Sequence, residues 1–228
     1  MVKNIGILGT GIVGQTIAGK LVSLGYDVMV GTRNVTATMT STESNQYGGP
    51  AISIWLTKNR TVKLGTFSDA AKHGDMVFNC LKGNAAIEGL QSAGAVHLAG
   101  KPLVDVTNPL DFSRGMPPTL FTVNTSSLGE EIQKALPEAH VVKTLSMVNC
   151  EVMVDATKAG GDATMFMCGD NVGAKEAVKK ILHEFGWNDV FDLGDIVAAR
   201  GIEMLLPIWL RVWMTLQKGY FGFKIVRA

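Results

Sequence analysis

The sequence is poor in net charge, in cysteine and histidine, and in long apolar runs, and each shortage removes a class of function. Lys and Arg number 21 against 20 Asp and Glu, a formal charge of +1. That balance supplies no basic stripe to attract a phosphate backbone, so no nucleic-acid partner is expected. Cys80, Cys150 and Cys168 are odd in number, far apart and free of any C-x-x-C pair. Neither a disulfide framework nor a zinc knuckle can be assembled from them, and a reducing, cytoplasmic setting is expected. His73, His97, His140 and His183 show no i, i+4 pairing and no neighbouring cysteine, so no metal site is expected. The apolar stretch 202–216 carries Glu203, Pro207 and Arg211 and falls short of the ~18 uninterrupted residues of a membrane span. Gly6, Gly9, Gly11 and Gly14 interrupt the N-terminal run, which therefore belongs to the fold and is not a leader.

What is abundant is glycine: 26 of 228 residues, roughly 11% against a usual ~7%. With 46% hydrophobic and 18% charged residues the chain is globular. At ~150 residues per domain its length allows one domain and a small appendage. Residues 4–8 form a short apolar run ending in glycine, and Ile12, Ile17, Leu21 and Leu24 then recur at near-helical intervals. A second strand at 26–30 completes a β-α-β unit. The alternation continues with strands at 62–64, 76–80, 101–106 and 140–145 and helices at 67–73, 84–94 and 128–136. Nearly continuous apolar strands alternating with helices imply an α/β, doubly wound parallel sheet covered on both faces. Residues 35–51, rich in Thr, Ser and Asn, are expected to form a loop. Residues 1–160 are assigned to this dinucleotide-binding unit. Residues 161–228 are assigned to an extension on the sheet edge, with strands at 165–168 and near Val190 and helices at 173–185 and 195–218. The last helix, apolar nearly all round and kinked at Pro207, is expected to be covered by its own sheet or by a second subunit in a homodimer.

Gly9-Thr10-Gly11-Ile12-Val13-Gly14 fits G-x-G-x-x-G where the pattern has meaning, after a strand and at the start of a helix. Gly9 permits the tight turn, Gly11 lets the backbone approach a pyrophosphate, and Gly14 lets the helix pack on the strands. An NAD site would place Asp or Glu at the end of the second strand to bind the ribose 2′-hydroxyl. Here the residues are Gly31-Thr32-Arg33-Asn34: Gly31 leaves no carboxylate, and Arg33 with Thr32 can clamp a 2′-phosphate. The expected cofactor is NADP(H). Ligands of such sheets sit beyond the carboxyl ends of the strands, which nominates Asn79, Cys80, Leu81 and Lys82, then Thr107, Asn108 and Pro109, then Lys143 and residues 146–149. Asn108 either holds the carboxamide or caps the loop before Pro109. Lys143 is either a contact to an anionic acceptor or a surface lysine, and Asn149 is a further positioning candidate. Cys80 is expected to pack as an apolar residue. No Ser/His/Asp set or carboxylate pair falls at these strand ends, which argues against hydrolysis.

On the Gly9–Gly14 turn, Gly31-Thr-Arg33, and the segments 104–109, 141–144, 168–170, 192–195 and 199–203, the chain resembles the NADPH:coenzyme F420 (deazaflavin) oxidoreductase family, most closely its bacterial NADP-binding branch. It is also similar to the cytosolic reductase domain of mammalian six-helix metalloreductases, stopping where their membrane part would begin. The resemblance implies direct hydride transfer between NADPH and a stacked planar ring, with the protein supplying position. It also implies that Thr10, Gly11, Ile12, Val13, Thr32 and Arg33 hold the phosphates. Thr36-Ala37-Thr38 stands where the family's deazaflavin enzymes often carry a basic residue, so coenzyme F420, a flavin, a quinone-like ring or another small molecule all remain as acceptors. 3-Hydroxyacid dehydrogenases and imine reductases share the turn and the arginine, but the segment after Gly161 is too short for their helical domain. A non-catalytic NADPH-sensing module is the alternative.

Overall fold

Apolar strands covered by helices on both faces build the molecule, a computed structural model describing residues 2–44 and 49–227. The first half runs β1 (Asn4–Leu8), α1 (Ile12–Ser23), β2 (Asp27–Thr32), α2 (Val35–Thr40), α3 (Ile52–Lys58), β3 (Lys63–Thr66), α4 (Phe67–His73), β4 (Met76–Asn79), α5 (Ala86–Ala93), α6 (Ala95–Leu98) and β5 (Pro102–Asp105). A hairpin of β6 (Leu110–Asp111) and β7 (Thr119–Leu120) follows. The chain closes with α7 (Leu128–Ala135), β8 (His140–Thr144), α8 (Cys150–Met153), β9 (Thr164–Cys168), α9 (Val172–Glu184), β10 (Asp189–Asp192), α10 (Ala199–Met204) and α11 (Leu206–Leu216). The main sheet has the order β3-β2-β1-β4-β5-β8-β9-β10. Winding reverses between β1 and β4, which makes their carboxyl ends the switch point of a doubly wound sheet.

One departure from the expected parallel sheet occurs at β9, which pairs antiparallel with β8, while β10 again runs parallel to β9. The reason is the connection: a parallel neighbour needs a long crossover, usually a helix. Here β8 and β9 are joined by the four-residue α8 and a single 3₁₀ turn at Ala156–Ala159.

On one face Ile17 and Leu21 of α1 and Val178 and Ile181 of α9 pack on the sheet. On the other, Phe67 of α4, Leu90 of α5, Ile132 of α7 and Ile202 of α10 do so. Two further expectations are corrected. The segment 35–51 is not all loop: Val35–Thr40 is helical because the Asn34 side chain accepts from the amide of Ala37 at 2.9 Å, a local cap that hydrophobic periodicity cannot reveal. Residues 45–48 of that segment lie outside the described residues. The terminal helix is not continuous, because Pro207 has no N–H for the helical ladder and the chain restarts at Leu206, with the proline in the first turn of α11. Only Leu206 and Leu210 of α11 are buried, while Ile208 and Leu216 are 54% and 53% exposed. Among the described residues no helix is long and apolar enough to cross a membrane.

Under the sheet lies a sealed ion cluster. Lys143 on β8, expected at a surface or an open cleft, is fully buried, its ammonium 2.8 Å from Asp105 and 2.9 Å from Glu203 of α10, and it also donates to the carbonyl of Thr107. Burial alone would push the lysine pKa down, but the two facing carboxylates outweigh it and hold it up. Glu203 in turn accepts from the amides of Leu128 and Gly129 at the start of α7, at 2.9 and 3.0 Å. Removing one partner leaves an uncompensated charge in the core. Lys143→Met is therefore expected to lower the unfolding free energy by about 3–5 kcal/mol in urea titration. Lys158→Ala, which breaks the exposed pair with Glu151, should cost less than about 1 kcal/mol; similar losses would show that the cluster does not anchor the fold.

Candidate functional site

The glycine turn folds as its spacing requires. Gly9 has φ of +121°, and a Cβ there would lie 2.6 Å from the carbonyl of Cys80. A Cβ on Gly14 would collide with the carbonyl of Gly9, so glycine is what lets α1 start against β1. At Gly11 a Cβ would meet nothing within 4 Å. That position faces an open groove. The first helical bond of α1 runs from the amide of Gln15 to the carbonyl of Gly11 at 3.0 Å, leaving the N–H groups of residues 12–14 without helical partners. No side chain caps this end and no acid sits in its first turn. It is an anion-binding terminus in form.

Around it three cavities share lining residues along the carboxyl ends of the strands. The first, about 360 Å³, is lined by Thr10, Thr32, Arg33, Asn34, Thr38 and Glu43 among others. A second of about 310 Å³ lies between Gly9–Gly11, Gly31–Arg33, Phe67, Leu81 and Gly89. The third, about 620 Å³, is bounded by Gly11–Val13, Cys80–Asn84, Val106–Asn108, Leu110 and Phe112. Arg33 has no hydrogen-bond or ion-pair partner among the described residues, and the Thr32 hydroxyl lies 2.7 Å from that of Thr38. Gly31 lacks a side chain for a packing reason as well: a Cβ there would stand 3.0 Å from Ala70 Cβ and 3.1 Å from Phe67 Cα, so α4 crowds out a carboxylate at position 31.

The sequence-nominated residues separate cleanly. Gly9, Thr10, Gly11, Ile12, Val13, Thr32, Arg33, Asn34, Cys80, Leu81, Lys82 and Asn108 all line one or more of these cavities. Gly14 and Pro109 lie beneath the lining, Pro109 accepting from the amide of Phe121 at 2.9 Å. Lys143 belongs to the buried cluster. Asn149 lines none of the three cavities; its carboxamide accepts from the amide of Glu151 and caps α8. Asn34 likewise spends its side chain on a cap. Asn108 donates through Nδ2 to the carbonyl of Ser146 at 2.8 Å, while its Oδ1 is buried with no partner among the described residues. Burial, with a smaller contribution from Asp105, pushes the Cys80 thiol far up, so it is protonated and inert as a nucleophile. Ser41 and Glu43, which border both the first and third cavities, and Phe112 on the hairpin were not nominated. Nothing in their spacing marks them, because they reach the groove through irregular backbone. No cluster of three His, Cys, Asp or Glu placed to hold a metal occurs among the described residues.

Comparison with known proteins gives this geometry a family. A profile described as NADP oxidoreductase, coenzyme F420-dependent, matches residues 4–109. A crystal structure of a candidate F420-dependent NADP reductase from Arthrobacter sp. FB24 is 49% identical, covers 100% of both chains and superposes with a TM-score of 0.94. The chain belongs to the F420-dependent NADP oxidoreductase family. Its similarity to the F420-dependent NADP reductase of Methanocaldococcus jannaschii is 28% identity over 141 residues, 61% of this chain and 62% of that protein. To rat metalloreductase STEAP3 it is 28% identical over 210 residues, 90% of this chain. The chain spans only 38% of that metalloreductase.

The contrast within this family motif is testable by stability alone. Gly14→Ala is expected to lower the unfolding free energy by about 1–3 kcal/mol through overpacking. Gly11→Ala should cost less, about 0.5–1 kcal/mol, since its new methyl meets open space and only the poorer N-cap preference of alanine is felt. Equal losses in thermal unfolding would contradict this division of the two glycines.

Proposed function

We propose that this protein is an NADP(H)-dependent oxidoreductase that passes a hydride between nicotinamide and a planar acceptor of the deazaflavin (coenzyme F420) or flavin class. The observation that carries it is one groove with two unlike ends at the switch point of the sheet: an arginine and threonine at one, and a wide cleft of mixed apolar and polar lining at the other. The residues present fit NADP(H). The Gly11 position is open, the α1 terminus offers N–H groups without helical partners, and Arg33 with Thr32 stands at the carboxyl end of β2, which carries no acid there. Two carboxylates lie on the lining of these cavities, Glu43 from the segment after α2 and Glu88 from α5.

When bound, NADPH would supply a hydride from its nicotinamide ring to the acceptor, with solvent supplying the balancing proton. The chain's own work is placement. The α1 terminus and Arg33 would hold the phosphates by charge-assisted hydrogen bonds. Asp105 accepts from the Thr107 amide and hydroxyl at 3.2 and 2.8 Å, fixing the turn that carries Asn108. The buried Oδ1 of Asn108 is an acceptor ready for an amide, while Val13, Val106 and Leu110 keep water from the ring edge. Cytoplasmic residence is supported by three free thiols. A homodimer about α11 is supported by the exposed apolar row of Met204, Ile208, Trp213 and Leu216.

Arg33→Ala is expected to raise the Kd for NADPH roughly tenfold to a hundredfold and leave that for NADH unchanged. Equal affinity of the wild type for the two cofactors would overturn the assignment. With coenzyme F420, FMN and a quinone offered in turn, loss of NADPH absorbance should depend on acceptor; binding without such loss would leave a sensing module. In sedimentation at micromolar concentration the wild type should be a dimer and an Ile208→Glu/Leu216→Glu variant a monomer, while a monomeric wild type would remove the dimer.

A further inference from the structure

The third cavity is larger than the end of a dinucleotide requires. At about 620 Å³ it is within the ~300–1,000 Å³ of pockets that enclose a whole small ligand, and the 2′-phosphate and adenine regions have cavities of their own. One wall is the strand-end backbone already described. The facing wall is the β6–β7 hairpin, which stands outside the main sheet and brings Phe112 to the cleft.

Phe112 is 41% exposed, and Met116 and Phe121 on the same hairpin are 57% and 45% exposed; of the three, Phe112 lines the cavity. An apolar patch of this kind bordering a cleft marks a surface that a ligand covers. The Phe112 backbone is held firmly on both sides. Asp111 accepts from the Ser113 amide at 2.8 Å and from the Ser113 hydroxyl at 3.0 Å, and the Phe112 carbonyl accepts from the Gly115 amide at 2.9 Å. The pairing of Leu110 with Leu120, and the bond from the Phe121 amide to the Pro109 carbonyl, tie the hairpin to the turn that carries Asn108. The ring is therefore positioned relative to the nicotinamide end before any ligand arrives. Asn84 and Lys82 line the same cavity and add polar groups to it.

We propose that Phe112 is the face on which the acceptor stacks, and that the hairpin selects flat heteroaromatic rings of the isoalloxazine and deazaisoalloxazine class over smaller carbonyl or imine substrates. This rests on the hydride-transfer reading in so far as the stacked ring is the acceptor. A flat ring buried between nicotinamide and Phe112 gains both apolar area and aromatic stacking, whereas a small carbonyl compound would leave most of the Phe112 face wet.

Both probe classes are fluorescent, so binding can be read without turnover. FMN and coenzyme F420 are titrated separately with NADP⁺-loaded protein. The wild type is expected to quench at least one of them; Phe112→Ala should raise that Kd roughly tenfold or more, and Phe112→Tyr should restore it to within about threefold. NADP⁺ affinity and melting temperature should not move in either variant, since the side chain is exposed and away from the phosphate groove. Unchanged affinity in Phe112→Ala, or no binding of either ring to the wild type, would overturn the proposal. The two arms tell flavin from deazaflavin. Failure here is separable from failure of the hydride reading: turnover with an indifferent Phe112 sinks only the stacking wall, and stacking without NADPH oxidation sinks only the transfer.

Discussion

A single ammonium group sealed from water dictates how the other parts are joined. Lys143 has two carboxylates against it, so the cluster would carry a net negative charge if nothing else faced it. The excess is met by dipoles: the α7 terminus donates two amides to Glu203, while Asp105 accepts from Asn79, from Thr107 and from the lysine itself. An unpaired buried charge costs several kcal/mol, so every donor must be in place together. These groups come from β4, β5, β8, α7 and α10, and a partial assembly of those elements leaves the cluster incompletely satisfied. The cluster also ends where the site begins. Asn79 spans Asp105 and the Leu81 amide, and Asp105 holds Thr107 next to Asn108, so two walls of the large cavity hang from one carboxylate.

The groove itself is built mostly from backbone. Glycines bring strands and helix ends closer than a Cβ would allow, and the polar groups exposed by that approach are N–H groups at a fixed helix terminus. Such a site needs little side-chain entropy to be spent on binding an anion. Gln15 shows how the groove is kept in shape from behind: its side-chain amide donates to the carbonyls of Thr10 and Pro50 at 2.9 Å each, pinning the segment ahead of α3 to the glycine turn. The residues proposed to discriminate between ligands, Arg33 and Phe112, stand at the ends of this frame.

Sequence pattern made the frame legible because parallel strands buried on both faces are written as uninterrupted apolar runs, and because a phosphate turn needs glycine at fixed spacing. The same logic placed Arg33 and Cys80–Lys82 on the groove. It failed where tertiary contacts decide. Lys143 reads as a polar residue at a strand end, and only Glu203, far along the chain, makes it interior. Asn149 and Asn34 read as ligand amides, yet each spends its side chain on a helix cap a few residues away. The helix at Val35–Thr40 is short, threonine-rich and without an apolar stripe, and the two-residue strands that present Phe112 are below the length at which alternation can be seen. The antiparallel entry of β9 follows from a connection too irregular to be assigned by period.

The segment after Gly161, which by composition could pass for an appendage, is therefore bound into the centre. It contributes two strands to the main sheet, and α10 lies so close to the start of α7 that a Cβ on Gly129 would stand 2.9 Å from that of Ala199. That approach is what delivers the Glu203 carboxylate to the amides of residues 128 and 129 and to the Lys143 ammonium. Without α10 the lysine would keep Asp105 but lose half its counter-charge, the α7 terminus would lose its acceptor, and both would face the core unsatisfied. Pro207 then has a definite place in the design. By ending α10 one residue before α11 begins, it lets Glu203 point inward while the next turn carries Ile208 out to solvent. One short break in the chain thus serves both the buried charge and the exposed apolar face.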